Sequence, residues 1–164
     1  GRFLQLALES VRLNGLDDSK MNCSVVDFFV GVGQMKKSRK IFDLVILDPP
    51  YFSLTERGRV DLVNDVGRLV NKVRPLVSDG GKLVVVNNAL YLSGQAFLQA
   101  IEELGKNGYI TVETMIPVPE DFTGYPATRK GHLPADPAPF NHSTKIVILK
   151  IKRKEGIWPK PGAI

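Results

Sequence analysis

"FDLVILDPPYFS", Phe42 to Ser53, is an apolar run that climbs to an aspartate and is followed by two prolines, two aromatics and a serine. Continuous apolar residues over "IFDLVILD" are the pattern of a strand buried on both faces of a parallel sheet. Ligands of open α/β sheets bind beyond the carboxyl ends of the strands. A carboxylate at such an end, Asp48, therefore faces a crevice. Pro49 and Pro50 lack N–H donors and have fixed φ, which leaves their carbonyls and that of Asp48 to accept from a ligand. Tyr51 and Phe52 supply a flat apolar wall. Acceptors beside a ring suit a planar group bearing an amine, such as a nucleobase removed from its stack. The plain alternative is a turn after a strand, with Tyr51 and Phe52 in the core.

Outward from this stretch, the chain alternates between helical and strand patterns. "RFLQLALESVRLNGL" places Phe3, Leu6, Ala7, Val11 and Leu13 near helical spacing, with Asn14-Gly15 as its stop. "NCSVVDFF" reads as a short strand and "KKSRK" as a polar break. After the opening stretch, "VDLVNDVGRLVNKVRPLV" is helical through Leu62, Val66, Leu69, Val70 and Val73, and "SDGG" turns the chain. "KLVVVNN" is a second apolar strand. "SGQAFLQAIEELGKNG" is a helix capped by Ser93 and stopped at Asn107-Gly108. "YITVETMIPV" and "TKIVILKIKRK" are strands separated by a long loop over 117–143. Helices alternating with strands predict a parallel α/β sheet with helices on both faces. The last two strands, joined only by a loop, are expected to form an antiparallel pair at one edge.

The bulk composition narrows the classes. The chain has 164 residues, 43% hydrophobic and 24% charged, as expected of one globular domain. No apolar run approaches the roughly 18 residues of a membrane span, so no membrane partner is expected. The lone cysteine, Cys23, rules out a disulfide scaffold or a multi-cysteine zinc site and fits a reducing compartment, cytoplasmic or an organellar matrix or stroma. A net charge of +5 mildly favours a polyanionic partner.

"DPPYF" resembles motif IV of the class I S-adenosylmethionine-dependent methyltransferases, the D/N-P-P-Y/F/W signature of enzymes that methylate nucleobase nitrogens or related planar amides. "SVRLNGL", "SVVDFF", "FDLVILDPPYFS", "VRPLVSDGGKLVVVNN" and "GYITVE", in this order and spacing, are similar to the 23S rRNA large-subunit methyltransferase group. The resemblance covers nearly all of residues 1–155 and implies a partial catalytic domain there, followed by a tail over 156–164. The implied fold is a Rossmann-like sheet, mostly parallel with a reversed last strand, and incomplete: in this family the glycine-rich cofactor loop and the ribose-binding acid precede the helix that opens this chain. "VGVGQ", Val30 to Gln34, follows "VVDFF" and does not open a helix after a first strand, so it reads as a flexible turn. A second copy, or the missing N-terminal half, is the expected companion of the apolar "LVILD" strand. The chain alone is expected to bind S-adenosylmethionine weakly or not at all.

The resemblance also distributes roles. Asp48, Pro49, Pro50 and Tyr51 become the catalytic segment, with Asp48 also beside the cofactor. Asp27 matches the motif III acid that accepts from the adenine amino group, and Phe28 flanks that ring. A solvated helix cap is the plain reading of Asp27. Cytosine C5 methylation needs a thiolate, and the cytosine members of the group carry that cysteine just after the strand that here reads "KLVVVNNAL". Asn87 and Asn88 stand there, as in the guanine-modifying members, while Cys23 begins an earlier strand where a buried structural role is expected. A nucleobase nitrogen is therefore favoured as the acceptor. Tyr51 and Phe52 would stack on the base and Asn87 or Asn88 read its edge, with turn and capping roles as the alternative.

The loop over 117–143 is too long for an idle connection. Arg129, Lys130 and Lys145 offer phosphate contacts, Phe122, Tyr125 and Phe140 offer stacking surfaces, and Asn141 joins the candidate substrate contacts. His132 and His142, ten positions apart with no cysteine nearby, make a poor metal site, and no metal is expected. RNA, above all ribosomal RNA, is the expected partner. DNA adenine or protein glutamine as acceptor, and a non-catalytic RNA- or partner-binding fragment, remain the competing readings.

Overall fold

The computed structural model describes residues 2–90, 92–116 and 144–154. In chain order the elements are α1 (Arg2–Leu13), α2 (Phe28–Lys37), β1 (Phe42–Leu47), β2 (Phe52–Thr55), β3 (Gly58–Asp61), α3 (Val66–Val73), β4 (Val77–Asn87), α4 (Gly94–Gly105), β5 (Ile110–Ile116) and β6 (Lys145–Ile151). Four strands form one sheet in the order β1-β4-β6-β5. β1 and β4 are parallel, and β6 runs antiparallel to both neighbours. The reversed last strand is therefore present, inserted between β4 and the edge strand β5.

The core lies on one face of this sheet. Alternate positions Leu83 and Val85 of β4 and Val147, Leu149 and Ile151 of β6 share a cluster with Leu69, Val70 and Val73 of α3 and Phe97 and Ile101 of α4. Their neighbours Val84, Val86, Ile146 and Ile148 are only half-buried. The expectation of helices on both faces thus fails among the described residues. β1 departs furthest: it lies at the sheet edge, and Leu44 and Ile46 are 53% and 63% exposed. α1 buries no residue.

Local signals hold where the chain decides by itself. Gly15 takes φ +66 just past α1, and Ser93 Oγ accepts from Ala96 N–H at 3.0 Å at the start of α4. Three readings do not hold. Residues 21–27 form no strand, and "VGVGQ" lies inside α2 and is no turn. A Cβ on Gly31 would meet Val26 Cγ1 at 2.9 Å, so this glycine serves close packing of the segment before its own helix. "SDGG" belongs to β4: Gly80 has φ +74, and a Cβ on Gly81 would stand 2.9 Å from the Asp43 carbonyl. The β1–β4 register accordingly jumps between the Phe42–Val77 and Leu44–Lys82 pairs.

The expected long helix from Leu62 shortens to α3, and the residues before it form the hairpin β2–β3. Phe52 faces Asp61, Ser53 faces Val60, Leu54 faces Arg59 and Thr55 faces Gly58. At the far end of the sheet, Arg153 donates from Nη1 to the carbonyls of Pro75 and Val77, each at 2.9 Å, so "KIKRK" is partly a structural tie.

Candidate active site

Asp48 follows the last residue of β1 and is exposed at the carboxyl end of the sheet. Asn88 follows the last residue of the neighbouring parallel strand β4. Its Nδ2 donates to Asp48 Oδ1 at 3.2 Å, and its Oδ1 accepts from Thr144 Oγ1 at 3.0 Å. Thr144 immediately precedes β6. Three adjacent strands therefore contribute one residue each to a polar chain at the carboxyl end of β1 and β4. The hydroxyl donor on Oδ1 fixes which way the Asn88 amide points, and so turns its N–H toward the carboxylate.

Asn87 has a different job, which corrects its place among the substrate-reading residues. It is fully buried, donates from Nδ2 to the Leu62 carbonyl at 3.0 Å and accepts from Ala89 N–H at Oδ1 at 2.9 Å. Successive strand residues point to opposite faces, so Asn87 turns inward with Leu83 and Val85. Lys145 is likewise corrected: it is buried, and its Nζ donates to the Ala89 carbonyl at 2.7 Å, so it is not a surface phosphate contact.

Pro49 and Pro50 carry the chain from Asp48 into the hairpin. Tyr51 and Phe52 are 62% and 51% exposed, so neither is a core ring. The Tyr51 carbonyl accepts from Leu62 N–H at 2.9 Å and closes the hairpin base. Since Asn87 holds the Leu62 carbonyl, that base is tied to the end of β4. Asp61 ends β3. Its Oδ1 accepts from the N–H groups of Val63 and Asn64, and both its oxygens accept from Asn64 Nδ2. The backbone and side-chain bonds from Asn64 hold the Asp61 carboxyl below its ordinary value, assisted by Arg59 and opposed by burial.

Asp27 is the N-cap of α2. Oδ1 accepts from Phe29 N–H at 2.9 Å and Val30 N–H at 3.2 Å, while Oδ2 accepts no hydrogen bond among the described residues. Phe28 is half-buried and meets Phe29 edge-on at 5.1 Å. Phe29 in turn sits where a Cβ on Gly58 would come within 2.7 Å of its ring, so the first turn of α2 rests against the inner face of the hairpin. Lys72 Nζ and Arg68 stand over the same ring at 5.2 and 5.9 Å. Burial first, and then the charge of Lys72, holds the Lys36 ammonium below its ordinary value.

No family model matches the sequence. Over 133 residues, 80% of this chain, it is 28% identical to the candidate ribosomal RNA large subunit methyltransferase YwbD of Bacillus subtilis and covers 34% of it. Over 88 residues, 52% of the chain, it is 31% identical to ribosomal RNA large subunit methyltransferase K/L of Allochromatium vinosum, covering 12% of that protein. The solved structure of SMU.776, a candidate methyltransferase complexed with SAH, matches 90% of this chain with a TM-score of 0.72 at 20% identity. The chain has a class I methyltransferase fold. In sequence it resembles the ribosomal RNA large subunit methyltransferases. It spans about a third of the length of YwbD and of SMU.776.

Cys23 is exposed, in a segment without regular structure, which overturns the expected buried role. Arg129, Lys130 and Asn141 lie outside the described residues, as do Phe122, Tyr125, Phe140, His132 and His142. Among the described residues there is no cluster of three His, Cys, Asp or Glu able to hold a metal, and no helix is long and apolar enough to cross a membrane. Thr144 and the β2–β3 hairpin escaped the sequence reading. The hairpin had a signal: in "FSLTERGRV" apolar and polar residues alternate on either side of a short polar turn.

Proposed function

We propose that this chain carries the acceptor side of an S-adenosylmethionine-dependent methyltransferase that modifies a nucleobase nitrogen of ribosomal RNA. The observation that carries the reading is the Asn88–Asp48 pair, held across the carboxyl ends of two parallel strands of a methyltransferase fold and followed directly by two prolines and exposed rings.

The residues present suit the adenine end of the cofactor. Asp27 has Oδ2 available to accept from an exocyclic amine, and Phe28 offers a half-buried ring edge beside it. When bound, S-adenosylmethionine supplies an electrophilic methyl group and leaves as the neutral thioether. The chain's task is then alignment. Asp48 would accept an N–H of the target amine and, with the Pro49 carbonyl, hold that nitrogen in one orientation for transfer. The proton that the target nitrogen must lose would be accepted by the Asp48 carboxylate, whose Oδ1 Asn88 holds. Tyr51 stacks on the extruded base. Asn88 keeps the carboxylate in one orientation, and Thr144 keeps Asn88 in one flip.

A nitrogen acceptor already has its lone pair, so no covalent enzyme–base step is needed. Cytosine C5 methylation would need a thiolate beside the base, and the chain's one cysteine precedes α2 in the sequence, whereas Asn88 stands at the position just after β4. The test is nucleoside analysis of unmodified ribosomal RNA treated with the full-length protein and labelled methyl donor. The label should appear in an N-methylated base, and 5-fluorocytidine RNA should trap no protein. A covalent adduct, or label in 5-methylcytosine, overturns the nitrogen reading.

A further inference from the structure

We infer that the outer face of the β2–β3 hairpin is a docking arm for an unpaired RNA strand that leads into the Asp48 site. The inference rests on the methyltransferase reading above and adds the form of RNA and the residues that grip it.

Directly opposed residues of an antiparallel pair share a face. The hairpin's inner face carries Ser53, Thr55, Gly58 and Val60, and its β3 side is covered: Val60 is buried and the Phe29 ring fills the space beside Gly58. The outer face carries Phe52, Leu54 and Arg59. Phe52 and Leu54 are 51% and 74% exposed, and Arg59 is exposed as well. Asp61 shares that face but is buried and engaged with Asn64 and Val63, and its Oδ2 stands 3.9 Å from Arg59 Nη2, a long and half-exposed pairing that leaves the Arg59 guanidinium at the rim. Arg57 is exposed at the tip beside Glu56, the one acid of the turn.

Two observations choose the occupant. First, the face is continuous with the candidate site. Phe52 lies four positions after Asp48, and the hairpin base is clamped by the Tyr51–Leu62 and Leu62–Asn87 bonds. The platform is held at both ends, because Arg68 Nη2 also donates to the Arg59 carbonyl at 2.5 Å. Second, its chemistry is apolar surface edged by two guanidinium groups, in a chain of net charge +5. Apolar and aromatic surface stacks on base faces, and base faces are available only where the strand is unpaired. Arginines at the rim meet the phosphates between the stacked bases. A duplex would present phosphates to the arginines but nothing to Phe52 and Leu54.

The test uses the full-length protein and a fluorescein-labelled RNA oligonucleotide, single-stranded or annealed to its complement, read by anisotropy over a salt series. Wild type should bind the single strand more tightly than the duplex. Leu54→Ser should weaken single-strand binding about threefold, less than the loss of a stacked aromatic ring, and leave duplex binding and the melting temperature unchanged. Arg57→Gln should reduce the slope of log affinity against log salt by about one. Cofactor binding, measured by calorimetry, should be the same in both variants and wild type. If wild type binds cofactor but Leu54→Ser binds single strands normally, the docking arm is wrong while the methyltransferase reading stands. If wild type binds no cofactor, that reading fails by itself. If Leu54→Ser instead turns a dimer into a monomer by light scattering with RNA affinity intact, the face is a protein contact and the inference is overturned.

Discussion

Asn88 Nδ2 donates to Asp48 Oδ1 across 3.2 Å and so joins the ends of two adjacent parallel strands. Both residues are solvent-accessible, so the bond contributes little to holding the fold and much to fixing where one carboxylate oxygen points. Asn88→Ala in the full-length protein should lower kcat about tenfold or more, since orientation of a reacting group dominates such sites. The melting temperature should move by less than about 2 °C. Asn88→Asp places a second carboxylate against the first and should cost more activity than alanine does. Steady-state kinetics on ribosomal RNA check both. Equal activity of Asn88→Ala and wild type would show that the amide is only a turn residue.

Asn87, one position earlier, should behave in the opposite way. Asn87→Ala leaves the Leu62 carbonyl and the Ala89 N–H without partners in a buried place. The cost should be about 1–3 kcal/mol, seen as an earlier urea midpoint. Because Leu62 closes the hairpin base, proteolysis within 52–61 should also accelerate.

Cys23→Ser should change neither stability nor methylation. The thiol is exposed, so no apolar contact is lost. Chemical denaturation and a methyl-transfer assay on the same preparation check the two halves. Loss of turnover with unchanged stability would reopen the thiolate mechanism.

Asp61 sets an acid limit. Its carboxyl is held below the ordinary 3.8, chiefly by bonds from Asn64. A group whose folded value is depressed stabilises fully above its unfolded value and loses that contribution as pH falls through the folded one. The stability difference between wild type and Asp61→Asn should thus be constant at neutral pH and shrink below pH 3.8. Denaturation midpoints from about pH 7 down to about pH 3 measure it. A difference that grows on acidification would contradict the assigned bonds.

Much of the fold is legible in the sequence. α4 announces itself through Ser93 and Asn107-Gly108, because caps are local chemistry. β1 and β4 read as strands from their apolar runs. What the sequence hid depends on distant partners. "SDGG" carries turn residues, but Gly81 is small because β4 presses on the Asp43 carbonyl. "NCSVVDFF" has strand-like composition, yet the Asp27 cap and the packing of Gly31 and Val32 commit Phe28 onward to a helix despite its glycines. Asn87 and Asn88 are chemically identical neighbours, and only the strand's pleat says which faces the core. Continuous apolarity in β1 read as burial on both faces, whereas among the described residues the core covers one.

The most direct measurement is transfer of a tritiated methyl group to unmodified ribosomal RNA by the full-length protein and by Asp48→Ala, with melting curves for both. The account predicts label in RNA for wild type and a loss of about a hundredfold or more for Asp48→Ala, at an unchanged melting temperature because Asp48 is exposed. Undiminished transfer by Asp48→Ala would reduce the Asp-Pro-Pro-Tyr segment to a turn and contradict the central claim.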